Sequence, residues 1–578
     1  MAQRQNVPTP TEVSSTGSEG LTSTSAAELS AAIQTLTQAA QALTTIANQM
    51  MNMMPIAPGR QESPTPLTQI NTWEDDPFSE AVPTPNPPLA TPQAVDTPVN
   101  TTPLLQTQIL GPRPSPGRFP PGTPNFRYWV AAEALARAIN FWAPLLPAGT
   151  RWSVPNPMDV TLDAGEDLNA FYSRDGQSGL FFFHQTVRNR TVFSGESPDV
   201  VCHELGHAIL DALKPQLFDA ASTEVGAFHE SFGDMSSLLS ALQLPSERQK
   251  VLTETQGQLN VTSQLSRLAE QLGWAIRQLD PTAVDPDCLR NAANRFFYQS
   301  PIGLPPRGPA SRLTSEVHSF SRIFTGAFLD ALAGMLKILG PANDANLLAV
   351  SGALGQLLVD GIHTAPITSA YFSQVASAMI QADQVRNHGR YRTALSNAFV
   401  QHGILSLPAI AALAHAPVPQ LAAVPVDLGT PVGMGGMGGF SGRAHGNRVL
   451  LTYEGREDDG YRRGPEDAPE LPVQTVSMNF GMTLLVHAPA EPERFGVTPA
   501  VLSGGAAAPP APEEVAQAFV EDLIQMGRID LRAVQGAMPA GLSTPSADRP
   551  RKTHVVQETP EGLMLKRLHF DCGFHGWA

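Results

Sequence analysis

The stretch Ser197-Pro-Asp-Val-Val-Cys-His-Glu-Leu-Gly-His-Ala208 decides how the chain can be interpreted. It contains an H-E-x-x-H pattern. Residues i and i+4 share one face of a helix, so His203 and His207 can reach the same metal ion. Glu204 lies beside them and can deprotonate a water molecule that the metal activates. The stretch therefore predicts a helix with a metal-dependent reaction centre, provided that a third ligand exists.

The third ligand is predicted further along the chain. A catalytic zinc ion usually has three protein ligands and one open position. Glu230 and Asp234 are four residues apart on one helical face, which suits a ligand and a residue that orients a ligating histidine. Glu224 lies roughly 240° around the same helix from Glu230 and therefore cannot face the same ion. We predict that Glu230 completes the set begun by His203 and His207, and that Asp234 orients one of these histidines.

At these blocks the chain resembles the thermolysin family of zinc metallopeptidases, the gluzincins, over about residues 125–407. Residues 199–208 are similar to the family's zinc-binding helix, and residues 226–234 to the helix that carries its third ligand. Residues 169–172, Asn-Ala-Phe-Tyr, resemble the strand that pairs with the substrate backbone. Residues 317–321, Val-His-Ser-Phe-Ser, resemble the family's Val-His-x-x-Ser block.

The resemblance implies a zinc endopeptidase with one catalytic Zn²⁺, acting on peptide or protein substrates and preferring an apolar residue after the cleaved bond. It implies that Glu204 acts as the general base and that His318 donates to the oxyanion. Asn169 and Ala170 would then contact the substrate backbone, and Val200 would form a wall of the pocket for that apolar residue. His229, one position from Glu230, is interpreted as a surface or cleft residue.

The chain departs from the family pattern at three positions. Phe218 occupies the place of a tyrosine that helps to polarise the scissile carbonyl, and losing one such donor can cost about 10²–10³ in rate. Leu313 replaces an aspartate that precedes the catalytic histidine, although Glu316 is nearby. Ala241 stands where a glutamate ligand for calcium is expected, so no calcium site is predicted even though Asp199 is retained.

Composition excludes some classes of function. The chain has 578 residues and a formal charge of −16, from 53 acidic and 37 basic residues. Nucleic-acid binding needs clustered Lys and Arg, so a nucleic-acid partner is not expected. No run of 18 uncharged apolar residues exists, so no membrane span is expected. No signal peptide is recognised at the N-terminus, which predicts either a cytoplasmic protein or export by a leaderless route.

The three cysteines do not form a disulfide framework, because they are few and well separated. Cys202 directly precedes a predicted ligand but points about 100° away on the helix, so it is interpreted as a small buried residue. Cys572 lies near His569 and His575. A single cysteine and two histidines at this spacing are interpreted as structural or incidental rather than as a metal site.

Residues 1–125 are predicted to be a disordered Pro/Thr-rich region, because such segments bury too little apolar surface to offset the entropy cost of ordering. Within them, residues 26–54 carry apolar positions at alternating spacings of four and three, which predicts a heptad helix. One interpretation is an isolated, partly formed amphipathic helix. The other is self-association or docking to a carrier.

The fold class is predicted as α+β, with a two-lobed thermolysin-like metallopeptidase domain at 126–407. Strand-like runs at 150–193 predict the first lobe. The second is predicted from helical patterns at 198–214, 222–242, 261–279, 315–338, 343–361, 367–385 and 390–404, and a helix at 126–145 precedes both lobes. An Ala/Pro/Gly-rich linker follows at 408–447.

Residues 448–578 are predicted to form a small C-terminal α/β-type domain of unknown function. Strand-like runs at 449–453, 476–480 and 553–570 flank a predicted helix at 513–526. Two alternatives to the endopeptidase stay open. One is a weakly active or inactive interaction protein with a peptidase fold, which the Phe218 substitution motivates. The other is an exported effector or toxin protease.

Overall fold

The structure is a computed structural model that describes residues 69–80, 86–174, 177–415, 470–478, 482–489, 510–531 and 552–573. All of these residues fall in one compact unit. The predicted heptad helix at 26–54 and the predicted strand at 449–453 lie outside the described residues. The described parts combine helices with strands, and the two-lobed form inferred from the resemblance stays a prediction.

The strands and helices are numbered along the chain. The strands are β1 Gln69–Thr72, β2 Gln93–Asp96, β3 Thr107–Ile109, β4 Met158–Thr161, β5 Ala170–Ser173, β6 Gly179–Phe182, β7 His184–Val187, β8 Arg190–Phe193, β9 Arg267–Leu268, β10 Arg290–Asn291, β11 Val473–Ser477, β12 Thr483–His487, β13 Ile529–Asp530, β14 His554–Thr559, β15 Gly562–Arg567 and β16 His569–Asp571. The helices are α1 Pro124–Trp142, α2 Pro198–Leu213, α3 Thr223–Ala241, α4 Pro245–Thr255, α5 Glu270–Leu279, α6 Val317–Leu339, α7 Asp344–Thr364, α8 Tyr371–Asn387, α9 Arg392–Gln401, α10 Leu407–His415 and α11 Pro512–Gln525.

Most of the predicted helices are confirmed, with ends that shift by a few residues. The helix predicted at 261–279 is too long, because only Glu270–Leu279 is helical. Ahead of it the Ser266 hydroxyl accepts a hydrogen bond from the Ser263 amide at 2.8 Å and so forms a local turn. Ala269 then has a left-handed backbone with φ of 52°, which separates this turn from the helix.

The main sheet has the strand order β16-β5-β6-β4-β3. Strands β3, β4 and β6 run parallel to one another, whereas β5 is antiparallel to β6 and β16 is antiparallel to β5. All four residues of β6 are buried, as expected for a continuous apolar run inside a sheet. The outer strand β16 belongs to the far C-terminal end of the chain, so the sheet joins distant parts of the sequence.

Helices α2 and α3 cross at two glycines. A Cβ atom on Gly206 would lie 2.9 Å from the Cα atom of Gly233, and a Cβ atom on Gly233 would lie 2.6 Å from the His203 ring. Because only glycine permits so close an approach, the two helices can bring their polar side chains together in the buried interior. The Ser197 side chain accepts from the Val200 amide at the start of α2, and Pro198 occupies the first turn.

The prediction of disorder for residues 1–125 is wrong for the described residues 69–80 and 86–125. Strand β1 pairs with β2, and β3 joins the main sheet. A few large apolar side chains anchor this region: Trp73 packs edge-on against Phe126 at 4.7 Å, and Phe78 and Leu105 are each 2% exposed. The average composition of the region does not reveal these few apolar residues. Their buried surface helps to order the Pro-rich segments between them.

The predicted linker at 408–447 is corrected at its start, because α10 continues to residue 415. The C-terminal part forms a second sheet, of order β11-β12-β15-β14-β13, with α11 beside it. These elements confirm the helix predicted at 513–526 and strands within 553–570, whereas β11 ends at Ser477 and overlaps the strand predicted at 476–480 only at its first two residues. Residues 448–578 are not wholly separate, however, because β16 leaves this sheet and joins the main one.

One described helix, α7, is long and apolar enough to cross a membrane by length and composition. In this structure 61% of its apolar window is buried, which is also typical of a core helix in a folded domain.

Candidate metal centre and cleft

Helices α2 and α3 bring together the three predicted metal ligands. One ligand atom from each of His203, His207 and Glu230 lies within 4.8 Å of the other two. The His203 Nε2 atom is 3.4 Å from Glu230 Oε2, and the His207 Nε2 atom is 3.7 Å from Glu230 Oε1. Two ligand atoms each about 2.0–2.1 Å from a tetrahedral zinc ion would lie about 3.3 Å apart. The observed separations are therefore close to those of atoms that share one metal ion.

Burial and hydrogen bonding also fit a metal ion. The three side chains are between 0% and 4% exposed. The Nε2 atoms of His203 and His207 form no hydrogen bond of normal geometry with any residue that the structure describes. Such a buried polar atom costs about 1–3 kcal/mol if nothing satisfies it. A divalent ion held by two imidazoles and a carboxylate would satisfy all three groups at once.

Asp234 lies where the sequence predicts an orienting partner. Its Oδ1 atom is 3.1 Å from His203 Nδ1, and Arg290 on β10 donates to the same oxygen at 2.8 Å. Burial opposes ionisation of Asp234, but Arg290 and His203 outweigh it and lower the pKa to about 2. Sequence reasoning missed Arg290, because nothing in the sequence around this short strand indicates that it reaches α3.

The interpretation of His229 as a surface or cleft residue is wrong. The side chain is fully buried, and its Nδ1 atom lies 3.3 Å from the Nδ1 atom of His207. Burial, with the neighbouring His207, holds the pKa of His229 well below its ordinary value. Each of the two predicted histidine ligands thus has a buried polar neighbour behind its second ring nitrogen, which fixes the orientation of the ring.

Glu204 lies next to the three ligands in a dry environment. Neither carboxylate oxygen accepts a hydrogen bond of normal geometry from the described residues. Burial raises the pKa of Glu204 to about 8. A carboxyl group that gains and loses a proton near neutral pH suits general acid–base chemistry.

Glu224, which the sequence reasoning rejected as a ligand, lies in a separate environment. One of its oxygens accepts from the Tyr298 hydroxyl at 2.5 Å, and the other accepts from the Phe372 amide at 2.9 Å. Burial raises its pKa to about 7. The structure therefore separates Glu224 from the three gathered ligands.

His318 lies at the edge of the same group. Its Nε2 atom is 3.2 Å from Glu230 Oε2, and its Nδ1 atom is 2.6 Å from Glu316 Oε1. Burial disfavours the charged ring, but Glu230 and Glu316 outweigh this effect and raise the pKa of His318 well above its ordinary value. Glu316 is thus the carboxylate that orients His318, a role left vacant at Leu313.

Phe218 is buried at 1% exposure and has no side-chain donor. Its ring packs edge-on against Phe570 at 5.4 Å and against Tyr172 at 6.1 Å. The backbone carbonyl of Phe218 accepts a hydrogen bond from Arg567 Nε at 2.8 Å. The position expected to hold a tyrosine hydroxyl is therefore an apolar contact between the peptidase-like region and the C-terminal strands.

The predicted substrate-binding residues take two different positions. Asn169 and Ala170 lie at the start of β5, and the Asn169 side-chain oxygen accepts from the Ala170 amide at 2.8 Å. Val200 lies in the hydrophobic core at 2% exposure. Only the first two therefore lie along a strand that could pair with an extended peptide.

The C-terminal segment 569–573 lies along β5, a relationship that sequence reasoning missed. Asp571 pairs with Phe171, and the Cys572 amide donates to the Ala170 carbonyl at 3.0 Å. The thiol of Cys572 lies within 4.8 Å of ligand atoms of both His203 and Glu204. Sequence reasoning, which interpreted Cys572 as structural or incidental, did not indicate this position beside the predicted ligands. His575, which was considered with it, lies outside the described residues.

A second buried group gathers the acids Asp76, Asp199 and Glu270, which have one oxygen each within 4.8 Å of the others. Burial, reinforced by neighbouring acids, raises the pKa of Asp76 to about 6 and those of the other two well above their ordinary values. Sequence reasoning predicted no calcium site and did not connect the three regions from which the structure gathers these acids.

No family model matches this chain, and no curated protein matches it. The candidate site therefore rests on its own geometry, in which two helices, one edge strand and one histidine on α6 converge on buried ligand atoms.

Proposed function

We propose that this protein is a zinc-dependent endopeptidase that hydrolyses peptide bonds in peptide or protein substrates. One observation carries the proposal. The ligand atoms of His203, His207 and Glu230 converge within 4.8 Å in a buried site, and the Glu204 carboxylate lies beside them. Two imidazoles, a carboxylate and an adjacent glutamate are the groups that hydrolysis with an activated water needs.

His203, His207 and Glu230 would hold the ion, and Asp234 supports this set by fixing His203. When bound, zinc would lower the pKa of a water molecule to about 7 and polarise the carbonyl of the bond to be cut. Glu204 accepts a proton from the attacking water and passes it to the leaving amine. Its position beside the gathered ligand atoms supports this role.

His318 donates to the oxygen that becomes negative as the carbonyl is attacked. Its contact with Glu316 supports this role, because the carboxylate orients the ring and favours its charged form. The extended substrate backbone lies along β5, where Asn169 and Ala170 begin the strand. A cavity of about 150 Å³ next to His318 is lined by the apolar Ile276, Val284 and Leu289 and by four arginines, so it offers a side chain both apolar and cationic contacts.

The first test measures metal content. The full chain, purified from zinc-replete cells, is expected to carry one zinc ion, and His207→Ala is expected to lose it. His184→Ala is the matched control, because His184 lies on β7 and pairs with Asp163 rather than with the ligands. Zinc-free wild-type protein of normal fold would contradict the proposal.

The second test measures cleavage of an unstructured protein substrate. Because residues 569–573 lie in the cleft, the comparison uses full-length Gly573→Val, in which a new Cβ atom would lie 2.5 Å from the Asn169 side chain, so the segment is expected to loosen. Gly573→Val is expected to cut, whereas Gly573→Val combined with Glu204→Gln is expected to bind zinc without cutting. Equal cleavage by both proteins would assign the activity to a contaminant.

A second candidate function is a zinc-binding interaction protein of low activity. The observation that favours it is Phe218, which supplies a ring where a hydroxyl donor is expected. Zinc in Gly573→Val without cleavage of a broad peptide library would support this candidate over the endopeptidase.

A further inference from the structure

The far C-terminal end of the chain occupies the edge of the main sheet that a substrate would use. Strand β5 would be an edge strand if β16 were absent, since the sheet order is β16-β5-β6-β4-β3. Phe570 pairs with Tyr172 and Asp571 with Phe171 in antiparallel register. Extended peptides bind proteins by adding a strand to such an edge. The segment therefore has the backbone position of a bound peptide.

The predicted oxyanion donor is engaged by this segment. The Nε2 atom of His318 lies 2.5 Å from the carbonyl oxygen of Asp571, to which it donates. A carbonyl oxygen in this position imitates the carbonyl of a substrate bond. The next residue is Cys572, so the thiol follows directly after the carbonyl that His318 contacts.

The Cys572 side chain lies beside the metal centre, on the side of His203 and Glu204. Its sulfur lies within 4.8 Å of ligand atoms of His203 and Glu204, and the residue is 4% exposed. The thiol lies against the Glu204 carboxylate, and His203 Nε2 forms no hydrogen bond of normal geometry with described residues. This buried nitrogen marks a point beside the sulfur where a ligand is missing, because buried polar atoms are rarely left unsatisfied.

Neighbouring contacts hold the segment in place. The Phe570 ring stacks on the rings of His229 at 4.0 Å and His207 at 5.0 Å. The Ser173 hydroxyl donates to the Leu568 carbonyl at 3.0 Å. Gly573 fits against the Asn169 side chain, with no room for a Cβ atom. The segment is therefore packed into the cleft over its whole described length.

We infer that Cys572 is a fourth ligand of the metal ion and that residues 570–573 block the substrate position as a built-in competitor. This inference rests on the proposed zinc-dependent function. A catalytic zinc ion has three protein ligands and one open position, which the Cys572 sulfur would fill at about 2.3 Å. The thiol releases its proton to solvent when it coordinates. The intact chain is then a restrained enzyme that must release its C-terminal segment before it can cut.

The first test observes the metal–sulfur bond and does not depend on activity. Cobalt(II) replaces the native metal in the full chain, because thiolate-to-cobalt charge transfer gives a near-ultraviolet absorption band. The wild type is expected to show the band, and Cys572→Ser is expected to bind cobalt without it. Cys288→Ser is the matched control, since Cys288 is a buried cysteine beside Asp287 and outside the ligand groups. Identical cobalt spectra for the wild type and Cys572→Ser would overturn the inference.

The second test measures how strongly the C-terminal segment slows cleavage. A tethered segment competes at an effective concentration of about millimolar, so a substrate at about 0.1 mM should be cut about tenfold faster once the segment is loosened. Cys572→Ser and Gly573→Val are each expected to show this gain over the wild type. Gly303→Val is the control for the second, because a Cβ atom on Gly303 meets nothing within 4 Å. Wild-type cleavage as fast as that of both variants would contradict restraint.

Intact-mass measurement shows whether the C-terminal segment acts as a competitor or is itself cut as a substrate. The wild type is expected to keep its C-terminal residues during incubation with zinc. Loss of that segment from the wild type but not from Glu204→Gln would overturn the inference and make the segment a substrate. A chain that binds no metal would contradict the proposed function itself. A chain that binds cobalt without sulfur would contradict only the role of Cys572.

Discussion

The backbone amide of Cys572 donates a hydrogen bond of 3.0 Å to the carbonyl oxygen of Ala170. Ala170 lies on the strand that the family resemblance predicts to bind substrate, and Cys572 carries a thiol that lies close to His203 and Glu204. This one pairing joins the predicted cleft to the C-terminal end of the chain. The pairing lets the C-terminal segment cover the predicted cleft, which sequence reasoning did not identify.

Asp234→Asn is expected to weaken zinc binding by about 10–100-fold, because the asparagine lacks the charge that orients His203 and pairs with Arg290. Competition with a chromophoric chelator measures the change in Kd. Asp330→Asn is the matched control, because Asp330 also contacts a buried histidine, His402, but lies outside the ligand group. Equal affinity in wild type and Asp234→Asn would contradict the role of Asp234.

Glu316→Gln is expected to lower kcat by about tenfold with little change in KM, because His318 loses the carboxylate that orients it. The glutamine keeps an oxygen for the Ser319 amide at the start of α6, so the helix cap is retained. Steady-state kinetics in the Gly573→Val background measure the effect, with the exposed Glu521→Gln as control. A change in KM alone would argue that Glu316 acts on substrate binding instead.

Gly233→Ala is expected to destabilise the fold by about 1–3 kcal/mol, because its Cβ atom would lie 2.6 Å from the His203 ring. Gly352→Ala on α7 is the matched control, since a Cβ atom there meets nothing within 4 Å and alanine favours a helix by up to about 1 kcal/mol. Urea denaturation measures both free energies of unfolding. A neutral or stabilising Gly233→Ala would mean that the two helices can separate without cost.

Glu224 is expected to make stability fall as pH rises from about 4.5 to about 7. Its pKa is raised from 4.5 to about 7 by burial, so in this interval the folded state holds a proton that the unfolded state has lost. The cost is up to about 3 kcal/mol above pH 7. Glu224→Gln should remove this dependence, since glutamine carries no proton to lose.

Urea denaturation of Glu224→Gln and wild type at pH 5 and pH 8 provides the test. The stability of the variant relative to wild type should be higher at pH 8 than at pH 5. Glu558→Gln is the control, because Glu558 is exposed on β14. A constant difference between Glu224→Gln and wild type at both pH values would contradict the assignment.

Local spacing explains what could be predicted about the site. His203 and His207 are one helical turn apart, and so are Glu230 and Asp234, so periodicity alone assigns each pair to one face. Contacts across long sequence separations were not visible. Arg290 reaches Asp234 from a two-residue strand 56 positions further along the chain. Glu316, noted near His318 in the sequence, is a local contact, and only the structure shows that it meets the ring.

Composition was a poorer guide at both ends of the described chain. Residues 69–125 carry a disorder-prone composition but order around Trp73, Phe78 and Leu105. A residue average hides such anchors, since a few large side chains contribute most of the buried apolar surface. Near the C-terminus, Cys572 carries no pattern that distinguishes it from an incidental cysteine.

The sequence by itself determined two helical faces, because periodicity places His203 and His207 on one and Glu230 and Asp234 on another. Only the tertiary structure decided that the two faces meet, through the close approach of the helices at Gly206 and Gly233. Strand pairing between residues 171–173 and 569–571 also depends on packing of the whole chain, and no local propensity specifies it. Each face is therefore a property of local geometry, whereas the gathered ligand atoms and the covered cleft are properties of the folded molecule.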